Sequence, residues 1–203
     1  MAGILRGVLL GVLVTVLASC AGNWETSYET TMSSESASAW RVSDVIVTVP
    51  ANATTSEQNT FAPSADIVWH GEPVGDRKAQ VAALMEEGIR RGAQGLRGPR
   101  AITITALVER FHGVTPRAVA RAPSGVHSIS YTIQVFDSNT GEAVTNVIPV
   151  RADLPAIVGP AAITAAVQGQ DQRSRIVNHI AAVTAGMFSI GPDQRRMFRS
   201  LGR

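Results

Sequence analysis

The feature that most constrains the fold of this sequence is the alternation of apolar and polar residues in Val126–Asp137, which is unbroken from Ser128 to Val135. The apolar positions hold Ile129, Tyr131, Ile133 and Val135, and hydroxyl or amide side chains stand between them. A β-strand points successive side chains to opposite faces, so this pattern predicts a strand with one buried and one polar face. A sheet made of such strands must cover its apolar face with a second layer.

Other segments supply both layers. Alternation or β-branched runs predict further strands in residues 40–49, 100–111 and 142–154, and a short edge strand in residues 66–70. Residues 77–91 and 171–188 repeat apolar side chains at helical spacing, and Asp76 is in position to cap the first of these helices. We therefore expect an α+β two-layer sandwich of order β-α-β-β-β-α. Its mostly antiparallel sheet has four to five strands, with the two main helices on one face.

Residues 1–19 have the pattern of a secretory signal peptide. A single basic residue, Arg6, precedes an apolar run that ends at Ser19. As a helix this run spans about 20 Å, whereas the hydrocarbon core of a bilayer is about 30 Å thick. The segment is therefore predicted to direct export rather than to span a membrane.

The chain has one cysteine, Cys20, directly after this run, and Leu17-Ala18-Ser19-Cys20 resembles the lipobox of bacterial lipoproteins. A thiolate is a good nucleophile for thioether formation. The resemblance implies that the Cys20 thiol carries diacylglycerol, that cleavage precedes it and that the protein is anchored in a membrane. Ala21 instead of Asp implies the periplasmic face of the outer membrane. The alternative is an ordinary cleaved signal, or an uncleaved anchor, with a chance cysteine.

The remaining chain divides into three parts. Residues 20–38 are rich in Ser, Thr, Glu and Ala, so we expect a lipidated amino terminus followed by a flexible tether. Residues 39–191 form the predicted periplasmic α+β domain. Residues 192–203 form a basic tail.

Composition and motifs indicate binding rather than catalysis. A net charge of +2 and 5% aromatic residues exclude a basic stacking surface for nucleic acid. The four histidines, His70, His112, His127 and His179, lack metal-ligand spacing, although His112 and His127 stand at the ends of strands that could be neighbours. We therefore assign no catalytic residue, metal or cofactor. The alternative function is a periplasmic hydrolase with an unrecognised site.

Three surfaces are candidates for contact with partners. The arginine pairs Arg90, Arg91 and Arg195, Arg196 are candidates for contact with anionic lipid. The apolar stretch 154–167 is either core or interface, and the sequence leaves this open. An edge strand, in residues 40–50 or 66–70, is a candidate for pairing with a strand of a partner.

Longer stretches extend the likeness to lipoproteins. The segments "ADIVWHGEPVGDR", "GVHSISYTIQVFDSNTGEAV" and "IVNHIAAVTAGMF" resemble an uncharacterised alphaproteobacterial lipoprotein family. The layout is similar to that of lipopolysaccharide-assembly lipoproteins and of the auxiliary lipoproteins of ABC-type lipid transporters. The resemblance implies a lipid-anchored accessory factor that binds a protein or lipid of the cell envelope, and it brings no active site.

The anchor yields a first prediction. Cys20→Ala removes the only thiol that can carry acyl chains, so metabolic labelling with a fatty acid and retention in the membrane fraction should both be lost. Labelling and retention equal to those of the unchanged protein would contradict the lipobox interpretation.

Overall fold

A computed structural model describes residues 23–29, 31–195 and 197–201. In this part the strands are β1 (Asn23–Tyr28), β2 (Trp40–Thr48), β3 (Ile67–Val68), β4 (Arg100–His112), β5 (Val126–Asp137), β6 (Ile148–Ala152), β7 (Leu154–Pro155) and β8 (Arg199–Leu201). The helices are α1 (Ser34–Ala39), α2 (Arg77–Gly92), α3 (Pro116–Arg121), α4 (Pro160–Val167) and α5 (Gln172–Met187). The predicted signal peptide, Cys20 and Arg196 lie outside the described residues.

The strands form one mixed sheet of order β2-β4-β5-β6-β1-β8, with β3 beside β4 and β7 beside β5. Strands β2 and β4 are parallel and are joined through α2, and β3 is also parallel to β4. All other named pairs are antiparallel. The mixed α+β class is thus confirmed. The sheet has eight strands in the described residues rather than four to five, because short strands join it at several places.

The predicted flexible tether at residues 20–38 is the largest correction. Its described part contains β1, which lies between β6 and β8, followed by α1. The side chains of Thr26 and Tyr28 are buried. A strand can join a sheet through its backbone hydrogen bonds, so a polar composition does not prevent it from being ordered.

The predicted basic tail at residues 192–203 is also attached to the domain. Strand β8 pairs with β1, and the Tyr28 hydroxyl donates a hydrogen bond of 2.7 Å to Asp193. This attachment has no periodic signal, because a strand of three residues is too short to show one.

Helices α2 and α5 cover one face of the sheet. The carboxylate of Asp76 accepts a hydrogen bond from the backbone N–H of Ala79 at 3.0 Å, and Asp171 caps α5 through Ser174 at 2.7 Å. The apolar stripes of both helices pack against the buried residues of β4 and β5, which include Ile102, Ile104, Val108, Ile129, Ile133 and Val135. Burial of these two complementary patterns forms the core.

The two helices also contact each other closely through glycines. A Cβ at Gly88 would lie 2.8 Å from Cβ of Ile180, and a Cβ at Gly92 would collide with the carbonyl oxygen of Ala181. Both positions are buried. The absence of side chains at Gly88 and Gly92 therefore sets the distance between α2 and α5.

The apolar stretch 154–167 lies mostly outside the core. Leu154 is half-buried and packs against the core, whereas most residues of α4 are exposed and Ala165 is the one that is buried. The part of the stretch that forms α4 is therefore surface rather than core.

The sheet and helices have two distinct ends. Strand β5 begins at Val126 beside Pro155 and ends at Asp137 beside Ile102. We call the end with the start of β1, the start of β5, α3 and α4 the Asn23 end. The opposite end holds the carboxyl ends of α2 and α5 and the turn after Asp137.

Within the described residues, every helix is too short or too polar to serve as a membrane span.

The glycine contact yields a second prediction. Gly88→Val should lower the free energy of unfolding by about 2 kcal/mol, because an overpacked buried site forces the helices apart. Ala83→Val is the matched control, since Ala83 is exposed on the same helix. Urea unfolding followed by circular dichroism measures both. Equal stability of the two variants would show that the contact is not tight.

Candidate functional site

The face of the sheet opposite α2 and α5, which we call the open face, carries an unusual group of apolar side chains. The exposed fractions of Ile46, Leu107 and Val147 are 48%, 42% and 54%. The register places Ile46 beside Thr105 and Leu107 beside Thr132, so the exposed apolar groups stand among threonines. Threonine has a high propensity for β-strands, but its side chain is too short to shield a neighbouring isoleucine or leucine. The side chains of Ile46 and Leu107 therefore remain in contact with water.

A shallow groove runs through this region. Its volume is about 470 Å³, and it is lined by Thr48, Thr105, Ala106, Leu107, Thr132, Gln134 and Val147. All of these side chains are uncharged. The groove can therefore accept an apolar or hydroxyl-bearing surface without burying an unpaired charge.

Strand β2 borders the open face and forms an edge of the sheet. Its first residues are covered, because Arg41 pairs with Arg97 and the backbone N–H of Gly98 donates to the carbonyl oxygen of Trp40 at 2.7 Å. A bulge lies between Val42 and Asp44. From Val45 to Thr48, the outer backbone edge has no backbone partner among the described residues.

The other edge that the sequence indicated, residues 66–70, is occupied. The backbone N–H of Ile67 donates to Thr54 at 2.9 Å, and the N–H of Ser56 donates to Ile67 at 3.1 Å. The loop before β3 therefore covers the outer side of β3. Of the two candidate edges, β2 is the open one.

A second groove, of about 640 Å³, lies beside the end of β1, where it is lined by Ser27 and Tyr28, and it contains Asp153. The carboxylate of Asp153 accepts hydrogen bonds from the backbone N–H groups of Glu25 at 3.1 Å and Ile129 at 3.0 Å. The guanidinium of Arg151 lies 3.2 Å from it. Asp153 thus joins three strands, and this role has no local signal in the sequence because Glu25 and Ile129 are distant from Asp153 along the chain.

The structure does not bring His112 and His127 together. His112 pairs with Ser128 across the sheet, so His127, the residue before Ser128, points to the other face. His112 contacts the carbonyl oxygen of Ala65 at 2.5 Å, and His127 is fully buried. No group of three or more potential ligands for a metal occurs in the part of the chain that the structure describes.

Two histidines are held neutral between the sheet and α5. Burial lowers the pKa of His127 from 6.5 to about 3 and that of His179 from 6.5 to about 4. Nε2 of His179 lies 3.3 Å from the hydroxyl of Thr26, and the backbone N–H of Val114 points at Nδ1 of His127 at 3.4 Å. These side chains serve the core rather than the surface.

The arginines proposed for lipid contact have partners within the domain. Arg90 bonds to Glu86 at 2.9 Å, and Arg91 bonds to Glu87 at 2.7 Å. Arg195 lies 2.7 Å from the carboxylate of its near neighbour Asp193. Arg90 and Arg91 stand at the carboxyl end of α2, and Arg195 lies over the ring of Tyr28, so all three are at the end opposite Asn23. Arg196 is outside the described residues.

The buried histidines yield a third prediction. Below pH 6.5 the unfolded chain binds protons at both positions, whereas the folded protein does not until about pH 4 or 3. The free energy of unfolding should therefore fall as the pH falls from 7 to 5, by about 2 kcal/mol for each histidine.

His127→Gln removes one of these groups, so the loss of stability between pH 7 and pH 5 should shrink by about 2 kcal/mol. Urea unfolding at the two pH values measures the difference. A pH dependence unchanged by His127→Gln would mean that His127 is protonated in the folded protein.

Comparison with solved structures finds only distant similarities. A PelC dodecamer from Paraburkholderia phytofirmans is 10% identical with a TM-score of 0.35, over 82% of this chain and 98% of that chain. A protein from Xanthomonas campestris, assigned to the family model DUF330, is 12% identical with a TM-score of 0.39, over 73% of this chain and 85% of that one.

A protein from Caulobacter crescentus CB15, provisionally named a lipoprotein, is 18% identical with a TM-score of 0.29, over 49% of this chain and 74% of that chain. These similarities are too distant to transfer a function. Comparison with curated proteins finds no match. A family model described as a family of unknown function covers residues 40–203, which includes the whole chain from β2 onward. The chain therefore belongs to this family, DUF6778.

Proposed function

We propose that the protein is a lipid-anchored, non-catalytic accessory lipoprotein of the cell envelope that binds another envelope protein through its open face and the edge of β2. The anchor is Cys20, and the position of Ala21 after it favours the periplasmic face of the outer membrane. Anchoring confines the domain near one surface and raises its effective concentration against partners there.

The observation that carries the binding role is the exposed apolar group Ile46, Leu107 and Val147 beside the free backbone edge of β2. The backbone N–H of Val45 donates to the carboxylate of Asp44 at 2.8 Å, so an added strand would form its backbone hydrogen bonds with residues 46–48. Its side chains on the open face would lie about 5 Å from Ile46, within contact distance. Both features favour the same mode of binding, which is addition of a strand from a partner.

The chemistry of the second groove supports a role without catalysis. Asp153 is its most buried carboxylate, and its oxygens accept hydrogen bonds from two backbone N–H groups and Arg151. A general base needs a lone pair directed at the substrate. The lone pairs of Asp153 are directed at β1, β5 and β6 instead.

The anchor and the domain are closely joined. Only Ala21 and Gly22 separate Cys20 from Asn23, where β1 begins. Three residues of fully extended chain span at most about 11 Å. We infer that the domain stays close to the membrane surface, rather than at the distance that a tether of residues 20–38 would allow.

The binding role yields a fourth prediction. A photoreactive amino acid at Ile46, in the full-length lipidated chain in intact cells, should form one discrete adduct with an envelope protein. The matched control carries the same amino acid at Ala83, which is exposed on α2 in the other layer and should give no such adduct.

Leu107→Asp tests whether the adduct reflects binding. This change places a charge in the apolar groove, so the adduct formed from position 46 should fall by about tenfold, equivalent to about 1.4 kcal/mol. Thermal unfolding should change little because Leu107 is exposed. Equal adducts from positions 46 and 83, or no effect of Leu107→Asp, would contradict the proposed surface.

A further inference from the structure

We propose that α4, together with Arg117 and Arg121 of α3, forms a membrane-contact face that lies on the surface of the lipid bilayer next to the anchor. This inference rests on the proposed anchoring through Cys20 and adds which side of the domain meets the lipid. We call the set Phe61, Arg117, Arg121, Ile163 and Val167 the contact face.

The segment around α4 is apolar and uncharged. From Leu154 to Gln170 the sequence contains no Asp, Glu, Lys or Arg. Yet Ile163 and Val167 are 71% and 84% exposed. A helix of this composition is normally buried, so its exposure indicates a non-aqueous neighbour.

The way in which α4 is attached explains why its large side chains face outward. Ala162 and Ala165 of α4 line a groove together with Val119 of α3 and Gln172 of α5, so the alanine side of the helix is turned toward these two helices. The backbone N–H of Gly159, at φ +67°, donates to the carbonyl oxygen of Val119 at 2.6 Å and attaches the start of α4 to α3. An ordinary surface helix buries its large apolar residues. Here the buried residue is Ala165, and Ile163 and Val167, one turn apart, are exposed.

Two exposed arginines of α3 have no carboxylate partner within the described part of the chain. Arg117 and Arg121 are exposed at i and i+4 on α3, and neither forms a salt bridge with another described residue. The guanidinium of Arg117 lies 5.1 Å from the ring centre of the exposed Phe61. Unpaired arginines beside apolar side chains are typical of surfaces that lie in the headgroup region of anionic bilayers.

Nearby acidic groups have other partners and leave the contact face positive. Glu57 is paired with Arg77 at 2.6 Å, and Glu72 is paired with Arg173 at 3.0 Å. The carboxylate of Asp171 caps α5. The face therefore complements an anionic surface, in contrast to the arginines at the opposite end, which are neutralised within the domain.

The position of the proposed anchor at Cys20 favours lipid, rather than protein, as the neighbour of the contact face. Trp24, the second residue of β1, lines one groove together with Phe61, Ala118 and Ala122, so β1 begins beside α3. The path from Asn23 to Cys20 is at most about 11 Å long. A lipid attached at Cys20 thus holds the bilayer close to the Asn23 end of the domain, where α4 is exposed. The proposed lipid anchor would provide most of the membrane affinity, and burial of Ile163 and Val167 in the bilayer would increase it.

Fluorescence quenching by lipid tests the contact directly. Acylation blocks the only native thiol, so a new cysteine is labelled uniquely with a polarity-sensitive fluorophore. The lipidated full-length chain carrying Val167→Cys is reconstituted in phosphatidylethanolamine–phosphatidylglycerol vesicles, with and without doxyl-labelled phosphatidylcholine. Val147→Cys is the matched control, because Val147 is similarly exposed but lies on the open face.

We expect a blue shift and loss of fluorescence in the presence of doxyl lipid at position 167, and neither at position 147. Arg117→Glu with Arg121→Glu should reduce the quenching at position 167 in vesicles that contain phosphatidylglycerol. A label at position 167 that shows the emission of an aqueous environment and is not quenched by doxyl lipid would overturn the inference. So would a label that is shielded from water but unquenched, which would indicate that α4 is covered by protein.

The test also separates this inference from the proposed function. A chain that carries no acyl group and does not float with the vesicles refutes anchoring through Cys20. A chain that is acylated and floats, but whose label at position 167 is unquenched, refutes only the contact face.

Discussion

Burial of one face of the sheet beneath α2 and α5 is the interaction on which the rest of the structure depends. The glycines at 88 and 92 let the two helices approach closely enough to cover the alternating apolar residues of β4 and β5. Because both long helices lie on the same side, the other face is left to water. Exposure of Ile46, Leu107 and Val147 is a direct consequence of this one-sided layering.

The spacing of apolar residues along the sequence predicts those elements of the fold that form by burying one face of side chains. Strand β5 and helices α2 and α5 follow their apolar patterns, because each pattern matches the geometry of its element. Strands β1 and β8 were missed because they join the sheet through backbone hydrogen bonds, for which Glu, Ser or Arg serve as well as Val. The parallel pairing of β2 with β4 depends on the path of the chain through α2 and has no local signal.

The surface was only partly predictable from the sequence. Arg90 and Arg91 stand four residues after Glu86 and Glu87, a spacing that indicates the two ion pairs found in the structure. The pair of Arg195 with Asp193 has no such helical signal. The sequence leaves open whether the apolar run through α4 is core, and the structure shows that Ile163 and Val167 are exposed. The exposed apolar side chains Ile46, Leu107 and Val147 lie on the open face, whereas α4 lies at the Asn23 end. Because these are different regions of the domain, the proposed protein partner and the proposed lipid surface would not compete for the same residues.

The proposed membrane orientation depends on the chemical state of residue 20, because an anchor three residues before β1 would determine which end of the domain meets the membrane. Mass spectrometry of the amino-terminal peptide, from protein purified out of the membrane fraction, measures that state directly. We expect a peptide that begins at Cys20 and carries the added mass of its acyl chains. A peptide that begins at another residue, or one with an unmodified Cys20, would contradict it.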